Sequence, residues 1–175
     1  MSDAELLSRA RAGDQRAFAE LVTRYRHIAW SVCVRITQHQ QDAEDALQIA
    51  LASAWQNLSK FRGEAKFGTW FYRIASNSAM ALVRKRKPVH SIDDATEDGY
   101  VIELEDFSAA FEDRLADQDR LTAALQQLTD ESREALVLAE VAGLSYAEIA
   151  VHQQASLSAI KVRIHRAKKK LADML

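Results

Sequence analysis

Six cations, Lys161, Arg163, Arg166, Lys168, Lys169 and Lys170, fall within ten residues near the C-terminal end, with no acid among them. Ile160, Ile164, Ala167 and Leu171 recur between them at helical spacing and predict one buried stripe. Ser158, Lys161, Val162, His165, Arg166 and Lys169 are then expected to face outward, with Arg163 among the flanking cations. The major groove of B-form DNA admits one helix, whose N-terminal residues reach base edges while neighbouring cations neutralise phosphates. A basic run alone could equally be a solvated helix end, where cations suit the dipole. The residues just before it favour the first reading. Ser145-Tyr146-Ala147-Glu148 has the form of a capping box, and a short helix to about His152 and a tight turn at Gln153 to Ala155 complete a helix-turn-helix pattern.

Two further constellations carry chemistry. Phe61, Phe67, Trp70, Phe71, Tyr72 and Arg73 precede Asn77 and the cationic run Arg84-Lys85-Arg86-Lys87. Aromatic rings offer π faces to unstacked bases while cations track the backbone; at helical spacing the same rings also serve as core. Trp70 and Tyr72 cannot both face one interior, so at least one is expected near the surface. Asp42, Glu44 and Asp45 form a carboxylate cluster without a histidine at ligand spacing, which reads as a charged helix start or a docking surface for a basic partner, not a metal site. No paired acid and base, activated nucleophile or phosphate-cradling glycine loop appears, so no catalytic site, cofactor or small-molecule substrate is expected.

The elements that position these groups read as all-α. One proline and five glycines in 175 residues leave few breakers, and the single cysteine, Cys33, lies in an apolar helical pattern and reads as core. Ser2-Asp3-Ala4-Glu5 is a second capping box, Gly13 can end that helix with positive φ, and Asp14 can cap the next. Phe18, Leu21, Val22, Tyr25, Ile28, Ala29, Val32 and Ile36 predict one long helix over about 15–37, followed by a polar loop at His39 to Gln41. From Asp42, the stripe Ala43, Leu47, Ala50, Ala54 and Leu58 leaves Asp42, Asp45 and Gln48 pointing elsewhere. A third stripe runs Phe67, Trp70, Phe71, Ile74, Ser78 and Leu82. Thr129 is a fair N-cap for a helix ended at Gly143.

Charge is segregated along the chain. Residues 1–90 hold 14 Lys/Arg against 8 Asp/Glu, residues 91–119 hold 1 against 11, and residues 120–175 hold 8 against 6, so the net charge of −2 hides two basic bodies and an acidic bridge. Two small helical domains are expected, at 1–88 and 114–175, joined by an acidic, flexible linker at 89–113. No signal peptide or membrane span is apparent, and the expected compartment is the cytoplasm.

These motifs, in this order, resemble bacterial RNA polymerase sigma factors of the small extracytoplasmic-function subclass. DAEDALQIALASAWQNLSKF is similar to the family helix that docks on the polymerase clamp, FGTWFYRIASNSAMALVRKRK to its promoter-melting and minus-ten segment, and LSYAEIAVHQQASLSAIKVRIHRAKKKL to its minus-thirty-five helix-turn-helix. The resemblance implies that Asp42, Asp45 and Gln48 contact the β′ clamp and that the region from Leu121 to Val141 sits on the β flap. It further implies that Trp70, Asn77 and Arg84 to Lys87 handle the opened minus-ten strand. Ser158, Lys161, Val162, Arg163, His165, Arg166 and Lys169 would read the minus-thirty-five element. The acidic linker would thread toward the RNA channel, and an anti-sigma factor would cover both domains, in some relatives from the inner membrane face.

The chain also departs from the family pattern. Gln48-Ile49 stands where Gln-Glu is common, Gln154 where the turn usually has Gly, and Ser156-Leu157-Ser158-Ala159 where Pro-Val-Gly-Thr is common. A turn without glycine suits a backbone in which no residue needs positive φ. The rival reading is a stand-alone regulator that binds an operator as a dimer without polymerase.

Overall fold

A computed structural model describes residues 1–86 and 118–175, and every regular element among them is helical. The chain divides into two compact units, Met1–Leu82 and Val83–Leu175. The linker expected at 89–113 lies outside the described residues, as does Lys87.

The first unit begins with α1 (Asp3–Arg11), whose Ser2 and Glu5 form the expected capping box. Gly13 takes φ +101°, and the Asp14 carboxylate accepts the Arg16 and Ala17 N–H groups to start α2 (Gln15–Thr23). The long helix expected over 15–37 is broken. The amides of Arg24 and Tyr25 reach back only three residues, to Leu21 and Val22, and α3 (Arg26–Thr37) starts afresh. Neither Gly nor Pro marks this break; side chains hold it. Arg24 donates to the Asp3 carboxylate at 2.7 Å and to the Met1 carbonyl at 2.6 Å, and the Tyr25 hydroxyl donates to the same Asp3 carboxylate. The two-residue kink thus lets α3 set off in its own direction, with α1 tied across its start.

His39 caps α4 (Gln40–Gln56), so the helix starts earlier than the polar-loop reading placed it. The expected stripe Ala43, Leu47, Ala50, Ala54 and Leu58 is buried, with Leu58 on a short 3₁₀ turn, Leu58–Lys60. Small alanines on this stripe let α4 pack closely against α3, which contributes Ala29, Val32, Cys33 and Ile36 to the same core. Helix α5 (Phe67–Arg86) brings Phe67, Phe71, Ala75, Ala79 and Met80 inward. Ile74 and Leu82, expected on this stripe, are only half-buried, while Tyr72 and Ser76 are buried in their place.

The second unit contains α6 (Gln118–Gln126), α7 (Asp130–Glu140), α8 (Tyr146–Gln153) and α9 (Leu157–Met174). Thr129 caps α7, and Gly143 (φ +73°) turns the chain after it. Its core is aliphatic: Leu121, Leu125, Leu128, Leu136, Leu138, Ile149, Ile160, Ile164 and Leu171 are buried, each such side chain contributing about 2 kcal/mol of transfer free energy. α9 packs on α6, α7 and α8, so the basic helix is held from one side by the rest of the unit.

Candidate nucleic-acid interface

The helix-turn-helix forms where the sequence places it. Ser145 and Glu148 complete a capping box at 2.8 and 3.1 Å, and Ser156 caps α9 by accepting the Ala159 N–H at 3.1 Å. Between the helices Gln154 lies in the left-handed region at φ +56°, so the turn does need positive φ and a non-glycine residue supplies it. Such a conformation costs ~1–2 kcal/mol for an L side chain.

Around α9, Ile160, Ile164, Ala167 and Leu171 face inward as expected. Ser158, Lys161 and Lys169 are exposed, and Val162 and Arg166 are half-buried. Two expected DNA-facing residues are placed otherwise. His165 is only 5% exposed, and its Nδ1 is buried without a hydrogen-bond partner among the described residues. On the helix surface it stands about 100° from Ile164 and beside the buried Lys168, so the covered face of α9 is wider than its aliphatic stripe. Arg163 is half-buried, and its Nη1 donates to Gln153 Oε1 at 2.5 Å. Lys168 is buried as well, in an ion pair with Glu140. Of the six-cation run, Lys161 and Lys169 are fully on the outer face, and Lys170 is exposed while donating to the Gln127 carbonyl at 2.8 Å.

Along α5, Trp70, Asn77 and Arg84 recur at intervals of seven and therefore share one side of the helix. Trp70 is half-buried against Phe61 and Phe67, with ring centroids 5.0 and 5.7 Å away, whereas Asn77, Arg84, Lys85 and Arg86 are exposed. Of the pair that could not both be interior, Tyr72 is the buried one and Trp70 offers the accessible edge. The cluster extends through Tyr25, 5.4 Å from Phe67, and Arg11 stands over the Phe61 ring at 5.5 Å. An aromatic platform backed by core rings, followed by exposed cations, is the arrangement that captures single-stranded bases.

On α4, Asp45 and Gln48 are exposed and Asp42 is half-buried at the first turn, where His39 Nδ1 accepts its N–H. Gln41 donates to Asp45 at 3.3 Å. Gln48 also lines a groove of about 350 Å³ with Arg26, Trp30, Glu44, Leu47 and Leu51, a feature that spacing on one helix could not reveal because Arg26 and Trp30 come from α3. Ile49, in the place of the family's common Glu, is exposed. Among the described residues no cluster of three or more His, Cys, Asp or Glu side chains could hold a metal, and no helix is long and apolar enough to cross a membrane.

Both units match a described family. Residues 21–89 match the model for Sigma-70 region 2, and residues 118–171 match that for Sigma-70, region 4. The chain belongs to the sigma-70 family. Over 91 residues it is 41% identical to the RNA polymerase sigma-H factor of Pseudomonas aeruginosa, a match covering 51% of this chain and 47% of that one. It is 37% identical over 87 residues to the ECF RNA polymerase sigma factor SigW of Bacillus subtilis, covering 50% and 46%, and 39% identical over 99 residues to the ECF RNA polymerase sigma-E factor of Escherichia coli, covering 55% and 51%. The matched stretch thus spans about half the length of these curated relatives. Among solved structures, CnrH in complex with the cytosolic domain of CnrY is similar over 98% of this chain and 95% of that chain, with 28% identity and a TM-score of 0.71. The sigma factor RpoE in complex with the anti-sigma factor NepR from Bartonella quintana shares the fold at 22% identity, over 89% and 94%, with a TM-score of 0.63. The sigma-70 regions bracket the three constellations: the α4 carboxylates and the α5 aromatics fall in region 2, and the helix-turn-helix falls in region 4.

Proposed function

We propose that this chain is a sigma factor: a dissociable subunit that binds core RNA polymerase and directs promoter recognition, DNA melting and transcription initiation at a dedicated regulon. The observation that carries this reading is the succession, in one chain, of sigma-70 region 2 and region 4, the first presenting an aromatic and cationic helix and the second a capped helix-turn-helix. Asp42, Asp45 and Gln48 on α4 are the contacts to the β′ clamp, and the region from Leu121 to Val141 takes the β flap. Trp70, Asn77 and Arg84 to Lys87 hold the opened minus-ten strand. Capture of unstacked bases offsets an opening cost of a few kcal/mol per step. Ser158, Lys161, Val162, Arg166 and Lys169 supply the minus-thirty-five face, with phosphate neutralisation giving most of the affinity and strong salt dependence.

Phosphodiester chemistry belongs to the core enzyme, and this chain contributes binding free energy. The compartment in this reading is the cytoplasm, where core polymerase is found. The CnrH and RpoE complexes, each with a protein partner, support an anti-sigma factor as the means of holding the chain inactive.

Run-off transcription with purified bacterial core polymerase, on a fragment from upstream of the chain's own gene, tests the reading. Transcription should depend on the protein and be lost in Asp45→Arg, which places a cation on an exposed acidic face and should leave the helical circular dichroism unchanged. Tight operator binding without polymerase, and no association with core, would replace this reading with the stand-alone regulator.

A further inference from the structure

The strongest polar construction outside the three interfaces lies beneath the helix-turn-helix. Glu134 on α7 is nearly enclosed, its side chain 6% exposed, and one carboxylate oxygen lies 2.9 Å from Nε2 of His152, itself 3% exposed. The other oxygen accepts from Nε2 of Gln153 at 2.8 Å, and the same amide nitrogen donates to the Glu131 carbonyl at 3.0 Å. The amide oxygen of Gln153 then accepts from Nη1 of Arg163, two turns into α9. One side chain therefore links α7, α8 and α9, directly before the strained residue Gln154.

We propose that Gln153 is a positioning residue for DNA recognition, which clasps Arg163 to the body of the second unit and so sets the seat of α9, with Arg163 acting through this clasp and not on a phosphate. The inference rests on the sigma-factor reading. The reasons are geometric. A primary amide can donate to a carboxylate through its nitrogen and accept from a guanidinium through its oxygen at the same time, and Gln153 does both. A carboxylate at this position would meet Glu134 with like charge, and a leucine would leave one Glu134 oxygen and the Arg163 Nη1 without these partners. Lys161 and Ser158 lie two and five residues before Arg163 on the same helix, so a small rotation there moves the residues offered to base edges. Misplacement of about 1 Å is enough to cost hydrogen bonds whose length varies by only ~0.5 Å.

The test is a double-mutant cycle with Gln153→Met and Arg163→Met, read in two ways. In the free protein, thermal unfolding should show the two changes to be non-additive. In the holoenzyme, each single variant should weaken binding to a duplex from upstream of the chain's own gene by about ten-fold, and the double variant should be no weaker than either. The slope of log K against log salt should stay at the wild-type value in all three. Lys161→Met, the comparison, should reduce it by about 0.9, the loss of one phosphate contact. Arg163→Lys, which keeps one donor for Gln153, should recover part of the affinity.

A reduced slope in Arg163→Met would place that guanidinium on a phosphate and overturn the proposal. So would additive losses in the cycle, or wild-type affinity in a folded Gln153→Met protein. A wild-type protein that binds no promoter with core would overturn the reading beneath the proposal while leaving the unfolding cycle intact, so the two failures are distinguishable.

Discussion

At the scale of single residues, the first unit is built around contacts that leave no slack. A Cβ added to Gly68 on α5 would stand 2.8 and 2.9 Å from ring carbons of Tyr25. That ring cannot retreat easily, because it packs on Phe67 and Tyr72 and its hydroxyl is bound to Asp3. Alanine is the better helix former by about 1 kcal/mol, but overpacking costs ~1–3 kcal/mol. Gly68→Ala should therefore lower stability by about 1–2 kcal/mol in urea unfolding, against the direction of helix propensity. Burial also pushes two acids upward: Cys33 from 9.0 to about 12, and Tyr25 from 10.0 to about 12, with the Asp3 carboxylate adding to the effect at Tyr25. Both are held neutral by the fold, so their contribution is complete below the unfolded pKa values and is lost as pH rises through the folded ones. The urea midpoint should fall from about pH 9 toward pH 12. At pH 8 in the native protein, iodoacetamide should leave Cys33 unmodified; rapid labelling there would show that the thiol is not in the core.

At the scale of elements, sequence reading succeeded where a local rule decides the outcome. Ser2, Asp14, Thr129 and Ser145 cap the helices that their types and spacing announce. The alanine-rich stripe of α4 is buried as its 3.6-residue period requires. The break between α2 and α3 was not legible, because its cause is the distant pairing of Arg24 and Tyr25 with Asp3 and not a breaker residue. The same holds for the recognition helix. Periodicity gave the inward stripe, but whether a residue off that stripe such as His165 is covered depends on tertiary packing that helical spacing does not encode. Likewise Arg163 and Lys168, read as members of a uniform basic run, find partners on α8 and α7. The turn adds a prediction of its own. Gln154 sits at φ +56° and is exposed. Glycine there would remove ~1–2 kcal/mol of left-handed strain and give back ~0.5–1 kcal/mol of chain entropy. Gln154→Gly should raise stability by about 0.5–1 kcal/mol in thermal unfolding, with the α8 and α9 caps unchanged.

At the scale of the whole molecule, charge and division into units point to one mode of action. The sequence collects positive charge at its two ends and places 11 acids against one base between residues 91 and 119, so the negative charge is concentrated in the stretch between the two regions that match the sigma-70 models. Each unit carries its own buried core, aromatic and alanine-rich in the first and aliphatic in the second. In the sigma-factor reading, the two sites on one chain act as a tethered pair: once one unit is bound, the other searches at an effective concentration of about millimolar. Severing the chain at a protease site placed between residues 93 and 98 tests this directly. The cleaved protein should keep its helical circular dichroism. Run-off transcription with nanomolar fragments should fall by ~10²-fold or more as the avidity is lost. Adding the second-unit fragment in large excess should restore part of the transcript, because mass action replaces the tether. Full activity of the cleaved pair at nanomolar concentration would show that each unit docks on polymerase tightly enough alone, and the covalent connection would then need a different explanation.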